Sequence, residues 1–190
     1  MAILRRLATI VLAGVLAGHV IAADSAPVQA AEPPAFSGEK RPFVYAAGRP
    51  EVPDLAFTGP DGKALKLSDF RGKVVLLNLW ATWCPPCVKE MPSLDNLQAE
   101  LGGEDFEVVA LSLDRGGQGQ VEPFFMETDL QHLTMYLDPA MTAMKAIKPP
   151  GLPVSLLIDA QGREIGRLSG EAIWDGDEAK AFIRHFMQEG

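Results

Sequence analysis

Cysteine is nearly absent from this chain. Two occur in 190 residues, Cys84 and Cys87. A disulfide-stapled scaffold is therefore excluded, and so is a structural zinc site built on cysteines alone, which wants four ligands. Histidine is scarce as well. His19 falls in the first twenty residues, and His132 and His185 show no local ligand spacing, so both read as surface or packing residues. Positive charge is in deficit, with 17 Lys and Arg against 25 Asp and Glu and a net charge of −8. That balance speaks against nucleic-acid partners. No internal repeat is present. The apolar fraction of 47% and charged fraction of 22% are those of a globular protein.

What is there begins with a leader. Arg5 and Arg6 precede an uncharged stretch, Leu7 to Ala23. It reads either as a signal peptide, with Val28-Gln29-Ala30 as the small-residue cleavage pattern, or as a slightly short membrane anchor. Either way the arginines stay inside and the rest is exported. No cysteine follows the leader to carry a lipid, and the arginine pair lacks twin-arginine context. Residues 24–51, rich in Ala and Pro, read as an extended linker, within which Phe43-Val44-Tyr45 packs at most locally. The folded domain is expected over residues 52–190.

Within that domain, short runs at 55–57 and 64–67 flank Gly59-Pro60-Asp61-Gly62, a hairpin signal. Val74 to Leu79 is apolar at nearly every position and belongs in the middle of a covered sheet. A helix is expected from Cys84 to about Leu101, stopped by Gly102-Gly103. Further expectations are a strand at 106–113, a helix at 121–128, a short strand at 133–136 and a short helix at 139–146. After the break Pro149-Pro150-Gly151-Leu152-Pro153 come strands at 154–158 and 163–168, joined by a turn at 159–162, and a closing helix at 177–187. The order predicts an α/β domain with a mixed central sheet and helices on both faces.

The two cysteines sit in Trp83-Cys84-Pro85-Pro86-Cys87, where a buried strand feeds a helix. Free N–H groups and the positive dipole end there favour a thiolate. The loop between the cysteines is too short for its closure to stabilise the chain much, so a mere staple is a poor reading. With Cys84 as N-cap, Pro85 and Pro86 occupy N1 and N2, and Cys87 is N3. The three-residue spacing brings both sulfurs to one face, within disulfide reach. Cys84, at the tip, is expected to be exposed and to attack a client disulfide. Cys87, one turn in, then resolves the mixed disulfide. The two prolines remove backbone donors, so the thiolate is less stabilised and the couple more reducing. A potential nearer about −270 mV than about −120 mV follows. Glu90, three residues beyond Cys87, returns to the same helix face. There it would exchange a proton with the buried thiol or raise the thiol pKa by like-charge repulsion. A solvated surface charge is the plain alternative. Trp83 is expected to be exposed beside Cys84 as a docking residue and Trp80 to be core. Trp174 fits either the docking face or simple packing, and Met126, Met135, Met141 and Met144 read as core filling.

The strings Asn78-Leu79-Trp80-Ala81-Thr82-Trp83-Cys84-Pro85-Pro86-Cys87, Glu90-Met91-Pro92-Ser93-Leu94 and Gly151-Leu152-Pro153 resemble the thioredoxin superfamily. More narrowly they resemble its TlpA/ResA-type membrane-tethered thiol:disulfide interchange proteins. The hairpin before the first core strand and the αβ insertion over Val121 to Tyr136 fit that branch. The resemblance implies a thioredoxin-like fold, with Cys84 attacking, Cys87 resolving and Glu90 modulating the thiols. It implies Pro153 in cis facing the disulfide, and Leu152 offering backbone bonds to an extended client. It also implies a periplasmic reductase serving cytochrome c maturation or cytochrome oxidase copper sites. Electrons would come from a membrane dithiol donor, the leader would stay uncleaved, and the protein would act as a monomer without metal or cofactor. One departure stands out. Ordinary thioredoxins carry a buried Asp at the position of Asn78, so the proton acceptor here falls to Glu90 or a water. Two other readings remain. A copper-binding metallochaperone would use the soft thiolates, and a peroxiredoxin-like peroxidase is disfavoured by the paired cysteines.

Overall fold

The computed structural model describes residues 34–189. The expected leader at 1–23 and the first part of the expected linker, 24–33, lie outside the described residues. No helix among the described residues is long and apolar enough to cross a membrane.

The sheet is built around β4 (Val74–Trp80). Its seven residues are all buried, as an uninterrupted apolar run demands when both faces are covered. The run alternates between two cores. Val74, Leu76 and Trp80 enter one, and Val75, Leu77 and Leu79 enter the other. β4 is flanked by β5 (Phe106–Ser112), parallel to it, and β7 (Val154–Ile158), antiparallel to it. β8 (Glu164–Ser169) pairs with β7 across the turn at 159–162. On the other side β6 (Tyr136–Leu137) continues the sheet to the hairpin of β2 (Ala56–Thr58) and β3 (Ala64–Lys66). The strand order is β1-β8-β7-β4-β5-β6-β2-β3, with β1 at Val44–Tyr45.

Helices cover both faces. α1 (Pro85–Leu101), α2 (Gln118–Glu127) and α4 (Asp177–Met187) pack on the first core. Met91, Leu94 and Leu97 of α1 are fully buried there, worth roughly 1.5–3 kcal/mol each. α3 (Thr142–Ile147) and the hairpin close the second core. The mixed sheet with helices on both faces, the hairpin and the αβ insertion are as the sequence led one to expect.

Three boundaries differ. The strand expected at 133–136 is a two-residue strand at 136–137, because Asp95 on α1 holds the backbone N–H groups of His132 and Leu133 (2.9 and 2.8 Å), keeping them out of the sheet. The helix expected at 139–146 starts only at Thr142, since Asp138 accepts the Ala143 N–H (2.7 Å) and Met141 is in a left-handed conformation. The third concerns the expected linker. Phe36 and Phe43 are buried in the first core, and β1 pairs with β8. Phe36 packs on Trp174 and on Phe182, both at 5.2 Å between centroids, and Phe43 lies 4.8 Å from Phe182. Gly166 permits this approach, because a Cβ there would collide with the Val44 carbonyl and the Phe43 ring. The folded body thus takes in residues 36–51. Ring burial outweighs the extended, Pro-rich composition of the segment.

Candidate active site

The loop from Ala81 to Cys84 joins the end of β4 to α1 and is held by one buried carboxylate. Asp114 accepts the Thr82 N–H (2.9 Å), the Thr82 hydroxyl (2.8 Å) and the Ser112 hydroxyl (2.8 Å). Gln120 of α2 donates to both Asp114 (2.7 Å) and Thr82 (2.9 Å). Cys84 then donates its N–H to the Ala81 carbonyl and caps α1, with Val88 N–H on the Cys84 carbonyl.

Cys84 and Cys87 form a disulfide, with Cα atoms 5.3 Å apart. Cys87 is fully buried, as expected. Cys84 is not the exposed tip that the spacing suggested, since only 5% of its surface is free. Pro85 and Trp83 are the exposed residues at this end, Trp83 at 61%. With Pro85 and Pro86 at N1 and N2, the first backbone N–H available to a Cys84 thiolate is that of Cys87.

Beneath the pair lies a buried polar cluster. Asn78 of β4 and Ser155 of β7 are cross-strand partners on the face that α1 covers. Asn78 Nδ2 donates to Glu90 Oε1 (2.8 Å) and to Ser155 Oγ (2.9 Å). The other Glu90 oxygen accepts the Ala172 N–H and the Trp174 indole N–H, both at 3.1 Å. Ser93 donates to the Glu90 carbonyl and accepts the Trp174 N–H. Glu90 is therefore no surface charge; it is 2% exposed. Burial is the largest influence on its carboxyl and pushes the pKa up to about 7, against three hydrogen bonds that favour the charged form. An Asp at position 78 would set two carboxylates side by side. Asn78 instead supplies a donor and leaves Glu90 the sole acid of the cluster. Trp174 is packing and polar partner at once, fully buried, and so does not line a docking face. Trp80 is core, as expected.

The bond Leu152-Pro153 is cis. Pro153 is buried at the start of β7, its carbonyl accepting the Gly170 N–H (2.9 Å), and Leu152 is half-buried. Leu152, Pro153 and Pro86 line one groove of about 240 Å³ together with Lys40, Arg41 and Glu171. Trp83 and Pro85 stay outside its lining. His132 is bound through Nδ1 to Asp95 (2.9 Å), and His185 stands against Phe186, far along the chain from the cysteines. Among the described residues no cluster of three or more His, Cys, Asp or Glu side chains is arranged to hold a metal. Asp114, Ser155 and the bond from the Trp174 indole to Glu90 were not foreseen from sequence. The contacts of Asp114 with Thr82, of Ser155 with Asn78 and of Trp174 with Glu90 join residues 32, 77 and 84 apart, and only the polar Asn78 and Ser155 within apolar strands carry a signal.

The family model described as Redoxin matches residues 46–182. The chain belongs to the Redoxin family. The thiol-disulfide oxidoreductase ResA of Bacillus thuringiensis subsp. konkukian (strain 97-27) is 36% identical over 121 residues, covering 64% of this chain and 69% of that protein. Its namesake from Bacillus subtilis (strain 168) is 30% identical over 121 residues, 63% of this chain and 66% of that protein. Among solved structures, a thiol:disulfide interchange protein described as DsbE from Chlorobium tepidum superposes with a TM-score of 0.65 at 31% identity, covering 73% of this chain and 96% of that one. StoA from Bacillus subtilis, at 23% identity and a TM-score of 0.58 over 72% of this chain and 98% of that one, shares the fold. The chain is thus an enzyme of the thiol-disulfide oxidoreductase class, of ResA/DsbE type, with a thioredoxin-like fold.

Proposed function

We propose that this enzyme reduces disulfides in exported client proteins, with Cys84 as attacking and Cys87 as resolving thiol. The observation that carries the reading is the Cys84–Cys87 disulfide at the start of α1, one helical turn above a buried carboxyl with a pKa of about 7. In the reduced state the Cys84 thiolate attacks one sulfur of the client disulfide. A new S–S bond forms, the client S–S bond breaks, and the client's other sulfur leaves as a thiolate that takes a proton. Cys87 gives up its proton and attacks Cys84. The mixed disulfide breaks and the client's second thiolate departs. Two electrons pass from enzyme to client. Glu90, on the Cys87 face of α1, receives and returns the proton near neutral pH, directly or through a water.

The client lies against the groove, with Leu152 and Pro153 facing its backbone and Trp83, Pro85 and Pro86 forming the rim. On the family resemblance carried by the Trp83-to-Cys87 and Gly151-to-Pro153 strings, the client class is proteins of cytochrome c maturation or of the copper sites of cytochrome oxidase, with a membrane dithiol as donor and no cofactor. Arg5, Arg6 and the uncharged stretch to Ala23 support export to the periplasm, and the family resemblance favours a leader that stays uncleaved as a tether. Residues 24–33 would serve as the linker, and the enzyme would act as a monomer.

The assignment of roles is tested by trapping. A Cys87→Ser protein should accumulate a mixed disulfide with an oxidised client through Cys84. A Cys84→Ser protein should accumulate none. Adducts through Cys87 instead would reverse the roles and overturn the mechanism.

A further inference from the structure

Residues 36–43 form a strap ahead of the region that matches the family, which begins at residue 46. It is pinned at both ends. Phe36 and Phe43 are buried against Trp174 and Phe182, and Ser37 bridges Pro42. Between them the chain turns tightly, with Gly38 N–H on the Arg41 carbonyl (2.9 Å) and Glu39 N–H on the Glu171 carbonyl (3.1 Å). The tip of this turn carries Lys40 and Arg41, and both line the groove that Pro86, Leu152 and Pro153 share.

The charges there run opposite to the chain as a whole. Lys40, Arg41 and Lys89 stand against Glu39 and Glu171, three cations to two carboxylates, on a protein of net charge −8. Lys89 is taken up by Glu39 (2.7 Å) and Glu171 (3.5 Å). Lys40 reaches Glu171 only at 3.7 Å and is 80% exposed. Arg41, exposed, has no carboxylate within ion-pair distance among the described residues. A rigid turn thus presents two cations, one of them uncommitted, to whatever occupies the groove.

We infer that the Lys40–Arg41 turn is a specificity element, selecting client segments that carry an acidic side chain close to the reacting cysteine. The inference rests on the groove being the client site. It adds to that reading a charge preference supplied by a segment outside the family-matched region. A carboxylate within a few residues of the client cysteine meets Arg41 and Lys40. A basic client meets repulsion, which shapes selectivity as much as the attraction does.

The test uses three synthetic peptides with one intramolecular disulfide each, flanked by Asp, Ser or Lys, and the full-length protein. The approach to thiol-disulfide equilibrium is timed from both directions, so that the readout does not depend on whether the enzyme reduces or oxidises. The native protein should exchange with the Asp peptide faster than with the Lys peptide. A Lys40→Gln, Arg41→Gln protein should lose about threefold to tenfold of its rate with the Asp peptide relative to its rate with the Ser peptide, the range expected for two partly exposed ion pairs. Lys40→Glu with Arg41→Glu should reverse the order, and added salt should shrink every preference. Equal slowing with all three peptides, or none with the Asp peptide, would overturn the inference while leaving the site intact. Absence of exchange with any peptide in either direction would overturn the site reading and this inference with it.

Discussion

Replacing Glu90 by Gln should change how the protein's stability responds to pH. Burial raises this carboxyl from 4.5 to about 7. Between those values the folded chain holds a proton that the unfolded chain has released. The group's contribution to stability is therefore complete below pH 4.5 and is lost as pH rises through about 7. A rise of that size corresponds to about 3 kcal/mol. Gln has the shape of the protonated acid and does not titrate. Its amide keeps one acceptor and turns the other into a donor, opposite either Asn78 or the Ala172 and Trp174 N–H groups, which adds a cost that does not vary with pH. The difference in unfolding free energy between the Glu90→Gln variant and the native protein should thus shift by about 3 kcal/mol in the variant's favour from about pH 4 to about pH 8.5. The assay is urea unfolding of both proteins across that range with the disulfide kept oxidised, so that neither cysteine titrates. Most other ionisable groups cancel in the difference. Two parallel profiles, offset by a constant, would refute the buried, raised carboxyl and with it the proton role given to Glu90.

Two further outcomes follow from the packing. A chain starting at residue 52 should be less stable than one starting at residue 34 by at least about 3 kcal/mol in urea unfolding, since it lacks Phe36 and Phe43; equal midpoints would return residues 36–51 to the status of a linker. Trp83→Ala should leave stability within about 0.5 kcal/mol, because the ring is 61% exposed, yet slow exchange with a protein client more than with a small disulfide; equal slowing of both would remove its docking role.

Legibility in the sequence tracked the range of the forces involved. β4, β7, α1 and α4 could be read because each is bounded by Gly or Pro and carries an apolar pattern of its own. The cysteine pair and Glu90 stood out in one short string with local spacing, and Pro153 through the family resemblance of Gly151-Leu152-Pro153. β1 and the strap were not, since Phe36 and Phe43 are isolated rings in an Ala- and Pro-rich segment whose partners lie more than 130 residues away. The burial of Cys84 was missed because an N-cap position sets backbone geometry and says nothing of how the preceding loop folds over it. Asn78 was legible only as a departure from a familiar pattern. Its bonds to Glu90 and Ser155, and the hold of Trp174 on Glu90 across 84 residues, are products of the tertiary fold.

The central claim, that this site is built to donate electrons, is met most directly by its reduction potential. With proline at N1 and N2, the Cys84 thiolate has few backbone donors, and a carboxyl lies one turn below Cys87. Both features disfavour a stabilised thiolate and lower the potential. Equilibration of the protein against glutathione or dithiothreitol should give a value near about −270 mV, and no higher than about −220 mV. A value near about −120 to −150 mV, where strong oxidants lie, would contradict the account and make the enzyme a source of disulfides for its clients.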